Sequence, residues 1–243
     1  MGFVRTVLGF SFTVFSVFAF LPFGLPAFVL SFLGLRKPMS WVSYKCAQLW
    51  AKVIIAITGC KLEVQGRENI PVRGGVCFVS NHGGVFDIVL ALALIGRPVG
   101  CIAKKELFLV PFFNLWIYIL GGLFIDRRKI RNALKTINNG IEKIRKGGSI
   151  LIFPEGTRSK GRGLLPFRSG ALKLAINSLS PVVPIAITGS YEVFEKNMRV
   201  KVVPVWVTFC PPVITAEMSS EDRRHKLADH VRSVIEAALE KHC

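Results

Sequence analysis

The sequence predicts an α/β protein: a mixed β-sheet flanked by helices, preceded by an N-terminal membrane-embedded helical segment. Three observations predict it. Short apolar or β-branched runs alternate with helical stretches from Lys61 onward. The thirty residues 6–35, between Arg5 and Arg36, carry no charge and are strongly apolar. No internal repeat or low-complexity linker interrupts the remainder, so a single catalytic-sized domain, 61–243, is expected behind an anchor, 1–60.

The anchor comes first in the chain. Pro22, Gly24 and Pro26 interrupt the apolar run, and proline removes a backbone donor and clashes with the preceding turn. Each half then measures about 22 Å of helix, short of a hydrocarbon core of about 30 Å. One kinked span or a hairpin dipping into a single leaflet satisfies this length. A cleaved signal peptide fits less well, because the run is too long and lacks a small-residue cleavage site. Met39–Thr58 is amphipathic and carries Trp41, Tyr44 and Trp50, rings suited to the headgroup zone. The first sixty residues hold five basic side chains and no acidic one, which puts the basic flanks on the cytoplasmic side. A buried helical core is the alternative.

Strands follow at Lys61–Gln65, Gly75–Ser80, Val99–Ala103, Gly122–Ile125, Ser149–Phe153, Val182–Thr188 and Val200–Phe209. Helices are expected at Phe86–Ile95, Pro111–Leu120, Lys129–Lys146 and Ser169–Ser178, with a capped C-terminal helix from Ser219.

Composition narrows the function. Of 243 residues, 51% are hydrophobic and 19% charged, which excludes a disordered chain or a disulfide-stapled mini-domain. Thirty-two lysines and arginines against fifteen acids give +17, so anionic partners are expected. Basicity joined to apolarity favours a membrane surface over nucleic acid, for which no binding module is present. The six cysteines show no C-x-x-C spacing and read as reduced thiols of a cytosol-facing protein. No H-E-x-x-H occurs and no metal is expected. His225, His230 and His242 read as solvated surface histidines.

Three segments carry chemistry. In Ser80-Asn81-His82-Gly83-Gly84-Val85-Phe86-Asp87, His82 and Asp87 would point about 140° apart on one continuous helix. The two glycines let His82 lie in a turn and Asp87 in the first helical turn, where the side chains can meet. A carboxylate on one imidazole nitrogen leaves the other as a general base. A helix-capping histidine beside a solvated aspartate is the plainer reading of the same spacing. No G-x-S-x-G elbow supplies a nucleophile, so the activated hydroxyl would belong to the substrate.

The second segment, Gly121–Arg128, ends a strand in Asp126-Arg127-Arg128. The third, Ile152–Ser159, ends one in Pro154-Glu155-Gly156-Thr157-Arg158. Gly156 permits close backbone approach, and Arg158 offers a planar fork for phosphate. Lys104 and Lys105 follow another strand. From Arg127 to Lys173 there are thirteen basic and two acidic residues. A solvated basic face accounts for many of them, but less well for arginines at strand ends, where α/β sites assemble. Phosphate-loop and dinucleotide patterns are absent.

Asn81-His82 through Asp87 resembles the N-H-x4-D block of the glycerolipid acyltransferases. Gly121–Arg127 resembles their G-x-x-F-I-D-R block, Phe153–Ser159 their F-P-E-G-T-R-S block, and Val183-Pro184-Ile185 their proline-centred block. The branch most similar acylates 1-acyl-sn-glycerol-3-phosphate. The resemblance implies transfer of a fatty acyl chain from acyl-CoA or acyl carrier protein to the sn-2 hydroxyl of lysophosphatidic acid, forming phosphatidic acid in phospholipid biosynthesis. It implies His82 as base and Asp87 as its orienting partner. It also implies Arg127 and Arg158, with Lys105, as holders of the acceptor phosphate, and Glu155, Gly156 and Thr157 as walls of that site. A backbone amide around Gly156 is the expected oxyanion donor. No metal, cofactor or covalent acyl-enzyme is implied. The partners are membrane phospholipids and the two substrates, and the place is the cytoplasmic membrane, with the catalytic domain on its cytoplasmic face.

Overall fold

A computed structural model describes residues 1–19, 36–110, 113–126, 128–168 and 170–242. Among the described residues, two long helices come first, α1 (Gly2–Ala19) and α2 (Arg36–Thr58). Seven strands follow: β1 (Lys61–Gln65), β2 (Val76–Ser80), β3 (Val99–Lys104), β4 (Leu123–Ile125), β5 (Ser149–Ile152), β6 (Val182–Thr188) and β7 (Pro204–Phe209). Between and after them lie α3 (Phe86–Leu94), α4 (Phe113–Ile119), α5 (Ile130–Arg145), α6 (Lys173–Ser178), α7 (Ser190–Val193), α8 (Ser220–His225) and α9 (Leu227–Glu240).

The strands form one sheet in the order β1-β7-β6-β2-β5-β3-β4. Five of them, β6 through β4, run parallel, and β7 reverses direction against β6. The mixed sheet expected from the sequence is therefore present. Strands β2 and β5 are buried at every position, as parallel strands covered on both faces must be. Alternation along β2 divides the core in two. Val76 and Phe78 face the layer of α2 and α3, with Tyr44 and Leu90. Cys77 and Val79 face the layer of α5, α6 and α9, with Ile141, Leu174 and Ile235.

The second helix of the expected anchor is built into this core. Tyr44 and Ala51 are fully buried, the Tyr44 hydroxyl donates to the Leu92 carbonyl (3.1 Å), and Gln48 Nε2 to that of Ala93 (3.1 Å). Burial lifts the Tyr44 phenol to about 12. α1 lies on α2 through Trp50 Nε1 donating to Ser16 Oγ (2.9 Å) and Arg5 Nη1 donating to the Thr58 carbonyl (3.0 Å). Its outer side exposes Phe3, Leu8, Phe10 and Phe15. No helix among the described residues is long and apolar enough to cross a membrane. The break expected at Pro22–Pro26 lies outside the described residues.

Several boundaries differ from expectation, the helix expected from Ser169 beginning at Lys173 among them, and two of the differences have clear reasons. β7 begins at Pro204 rather than Val200, because Val200 and Lys201 give their amides to Thr6 Oγ1 and the Val193 carbonyl. The C-terminal helix is two: Ser219 Oγ accepts from Asp222 N to cap α8, and a break at Lys226 separates it from α9.

Candidate active site

Because β2, β3, β4, β5 and β6 are parallel, their carboxyl ends share one edge of the sheet, the place where α/β folds assemble sites. Asn81 leaves β2 with its side chain clamped to β6. Its Nδ2 donates to the Ile187 carbonyl (2.9 Å) and its Oδ1 accepts from Ile187 N (2.8 Å). α3 begins only at Phe86, so His82 lies in the preceding turn and the expected meeting with Asp87 occurs. His82 Nδ1 is 2.8 Å from Asp87 Oδ2. That oxygen also accepts from Gly84 N (2.9 Å). Asp87 is fully buried, and its Oδ1 has no hydrogen-bond partner among the described residues. A buried carboxylate so served holds the proton on Nδ1 and leaves Nε2 its lone pair.

The ring itself is held by Phe153, stacked with centroids 4.0 Å apart and planes at 20°. Phe153 directly follows β5, the strand paired with β2, so the stacking follows from the sheet order. Sequence reasoning quoted Phe153 within its block but assigned it no contact with the histidine.

Glu155 is nearly completely buried and works on the backbone. Its Oε1 accepts from His82 N (2.7 Å) and its Oε2 from Leu165 N (3.1 Å). Burial nonetheless pushes its carboxyl above the usual range, against those two amides. The strands' two loops are further stitched by Ser159 N donating to the His82 carbonyl and Lys160 N to that of Gly83. Gly156 adopts φ +69°, a left-handed conformation that favours glycine. Its amide donates to the Phe153 carbonyl (3.0 Å) as a turn bond, so an oxyanion donor around Gly156 would be a neighbouring amide. Thr157 is exposed.

Arg158 meets a residue that sequence reasoning missed. Glu195, in the turn after α7, takes Arg158 Nη1 at 2.5 Å on Oε1 and Val85 N at 2.5 Å on Oε2. A single acid in a polar stretch carries no local pattern, and only the packing of α7 beside the Asn81 clamp delivers it.

The remaining candidates stand apart. Lys105 follows β3 and pairs with Asp126 beyond β4 at 2.9 Å, holding that carboxyl below the usual range. β3 and β4 lie two and three strands from β2, about 10 and 14 Å along the edge. The structure thus brings together His82, Asp87, Glu155 and Arg158, and leaves Lys105 across the sheet edge. Arg127 lies outside the described residues. Among the described residues, no group of three His, Cys, Asp or Glu side chains could hold a metal ion.

A family model described as Acyltransferase matches residues 61–188, the segment bearing His82, Asp87, Lys105, Glu155 and Arg158 but not Glu195. Over 182 residues the chain is 34% identical to the 1-acyl-sn-glycerol-3-phosphate acyltransferase of Salmonella typhimurium, covering 74% of each. It is 30% identical over 234 residues to the enzyme of the same name from Saccharomyces cerevisiae, covering 90% of this chain and 72% of that one. The crystal structure of the 1-acyl-sn-glycerophosphate (LPA) acyltransferase from Thermotoga maritima matches with a TM-score of 0.79 and 27% identity, over 98% of this chain and 96% of that one.

Proposed function

This chain belongs to the acyltransferase family, and from that premise we propose that it moves a fatty acyl chain from a thioester to the sn-2 hydroxyl of 1-acyl-sn-glycerol-3-phosphate, forming phosphatidic acid. The observation that carries the reading is the His82–Asp87 contact of 2.8 Å at the carboxyl edge of the sheet, with the imidazole stacked on Phe153.

A thioester is already activated, so catalysis needs a base, a positioned alcohol and a stabilised oxyanion. Nε2 of His82 takes the acceptor hydroxyl proton as that oxygen bonds to the thioester carbonyl carbon. The tetrahedral adduct then expels the thiolate, which recovers the proton from the imidazolium, and Asp87 stabilises the ring while it is charged. Among the described residues no serine or cysteine hydrogen-bonds to the His82 ring, in keeping with direct transfer. Arg158 binds the acceptor phosphate, with Lys105 drawing anionic substrate from farther along the edge and Arg127 adding its charge to the hold on phosphate. Either acyl-CoA or acyl carrier protein suits the +17 surface. No cofactor or metal takes part. Residues 1–60 attach the protein to the cytoplasmic face of the membrane, where acceptor and product reside.

The test is thiol release from acyl-CoA and from acyl carrier protein thioester, by purified protein in detergent, with and without lysophosphatidic acid. Release should require the acceptor, and His82→Ala should lower turnover by about 10²–10⁴-fold while keeping the fold. Activity of the variant within tenfold of wild type removes His82 as base. A folded protein silent with both thioesters points to another acceptor.

A further inference from the structure

The phosphate-seeking arginine of this site is tied to an acid. Arg158 is 39% exposed and Glu195 14%. Partly exposed ion pairs contribute about 0–1 kcal/mol to stability, so the fold gains little from this one. Its geometry does more. Oε1 of Glu195 occupies one Nη1 position of Arg158, and a guanidinium offers five donors in a fixed fork. The other oxygen takes Val85 N, in the turn that leads into α3 and to Asp87.

Gly84 shows that room is kept for this carboxylate. A Cβ at position 84 would lie 2.4 Å from Glu195 Oε2, closer than side-chain atoms approach. Three carboxylates therefore serve three amides of one short loop: Glu155 that of His82, Asp87 that of Gly84, and Glu195 that of Val85. Only Glu195 among them also holds a cation that faces solvent.

We infer that Glu195 is a positioning residue for acceptor recognition: it fixes the Arg158 guanidinium in one orientation beside the His82 turn, with the donors that Glu195 does not use presented to a phosphate monoester. The inference rests on the reading of Arg158 as the phosphate holder. An arginine so restrained loses less rotamer freedom when phosphate binds. Because the pair is neutral, the phosphate is selected by paired hydrogen bonds rather than by diffuse positive charge.

The experiment measures KM for lysophosphatidic acid and for the thioester on the full chain in detergent, for wild type, Glu195→Gln, Arg158→Ala and the double variant. A glutamine cannot accept at both positions, because one of its two atoms is an NH₂ donor. Glu195→Gln should raise the acceptor KM about tenfold, leave the thioester KM unchanged, and place its loss in KM rather than kcat. Arg158→Ala should raise the acceptor KM, and the double variant should be no worse than Arg158→Ala alone, since both act through one guanidinium. Gly84→Ala, which displaces Glu195 without replacing it, should reproduce the Glu195→Gln acceptor effect. A raised acceptor KM in Arg158→Ala with a wild-type value in Glu195→Gln overturns the role of Glu195. Full additivity of the two substitutions does the same. An unchanged acceptor KM in Arg158→Ala instead overturns the phosphate role of Arg158, and with it the inference built on that role.

Discussion

Burial sets the proton affinity of Glu155, and the sign of the effect can be worked out. Its carboxyl is raised by desolvation although two amides donate to it. The folded chain therefore binds that proton more tightly than the unfolded chain. From the ordinary glutamate value upward, the contribution of Glu155 to stability is present at the acid end and is lost as pH rises through its folded pKa. Melting curves of wild type and Glu155→Gln between about pH 4 and 7 should show the wild type losing ground to the variant as pH rises. A wild type that gains ground instead would contradict the burial argument. At this scale the H-x4-D pair was legible, because two glycines between a buried strand and an apolar helix leave few places for the side chains to go. The backbone duties of Glu155, the Phe153 stack and Glu195 were not legible, since each depends on which strands are neighbours.

At the scale of elements, burial on both faces makes a strand easy to read and a boundary hard to place. β1 and β6 were expected with the bounds observed, because an alternating or continuous apolar run ends sharply at a turn. β7 was over-extended, since Val200–Val203 is strand-like in composition but the amides of Val200 and Lys201 go to α1 and α7. α9 shows the opposite case, a spacing that the sheet reads directly. Leu227, Val231, Ile235 and Ala238 are buried one turn after another against β6 and its neighbours. Ile235→Ala should cost about 2–5 kcal/mol, seen as a fall in Tm of roughly 5–15 °C. An unchanged Tm would mean that α9 does not hold the sheet.

For the whole molecule, charge and apolar surface point the same way. The +17 excess and the exposed phenylalanines of α1 together suit an anionic bilayer. Phe10 and Phe15 are 72% and 70% exposed, so changing them leaves the core intact. Phe10→Asp with Phe15→Asp should reduce co-sedimentation with anionic vesicles at least about tenfold, and high salt should weaken the wild type in part. Vesicle binding that survives the double substitution would assign attachment to another surface. Composition alone carries the expectation of this association. The partition of labour was not readable, because Tyr44 and Gln48 commit α2 to the catalytic core while α1 keeps its outward face.

The pairing of β1 with β7 sets an order of events during synthesis. Asn69, just past β1, bonds the Phe209 carbonyl at the end of β7, 140 residues later in the chain. At about 5–20 residues per second, that partner arrives roughly 7–28 s after the first strand. Throughout this interval α1 and α2 are complete while the sheet that buries Tyr44 is not. The nascent chain thus carries an uncovered apolar surface well before it has an active site.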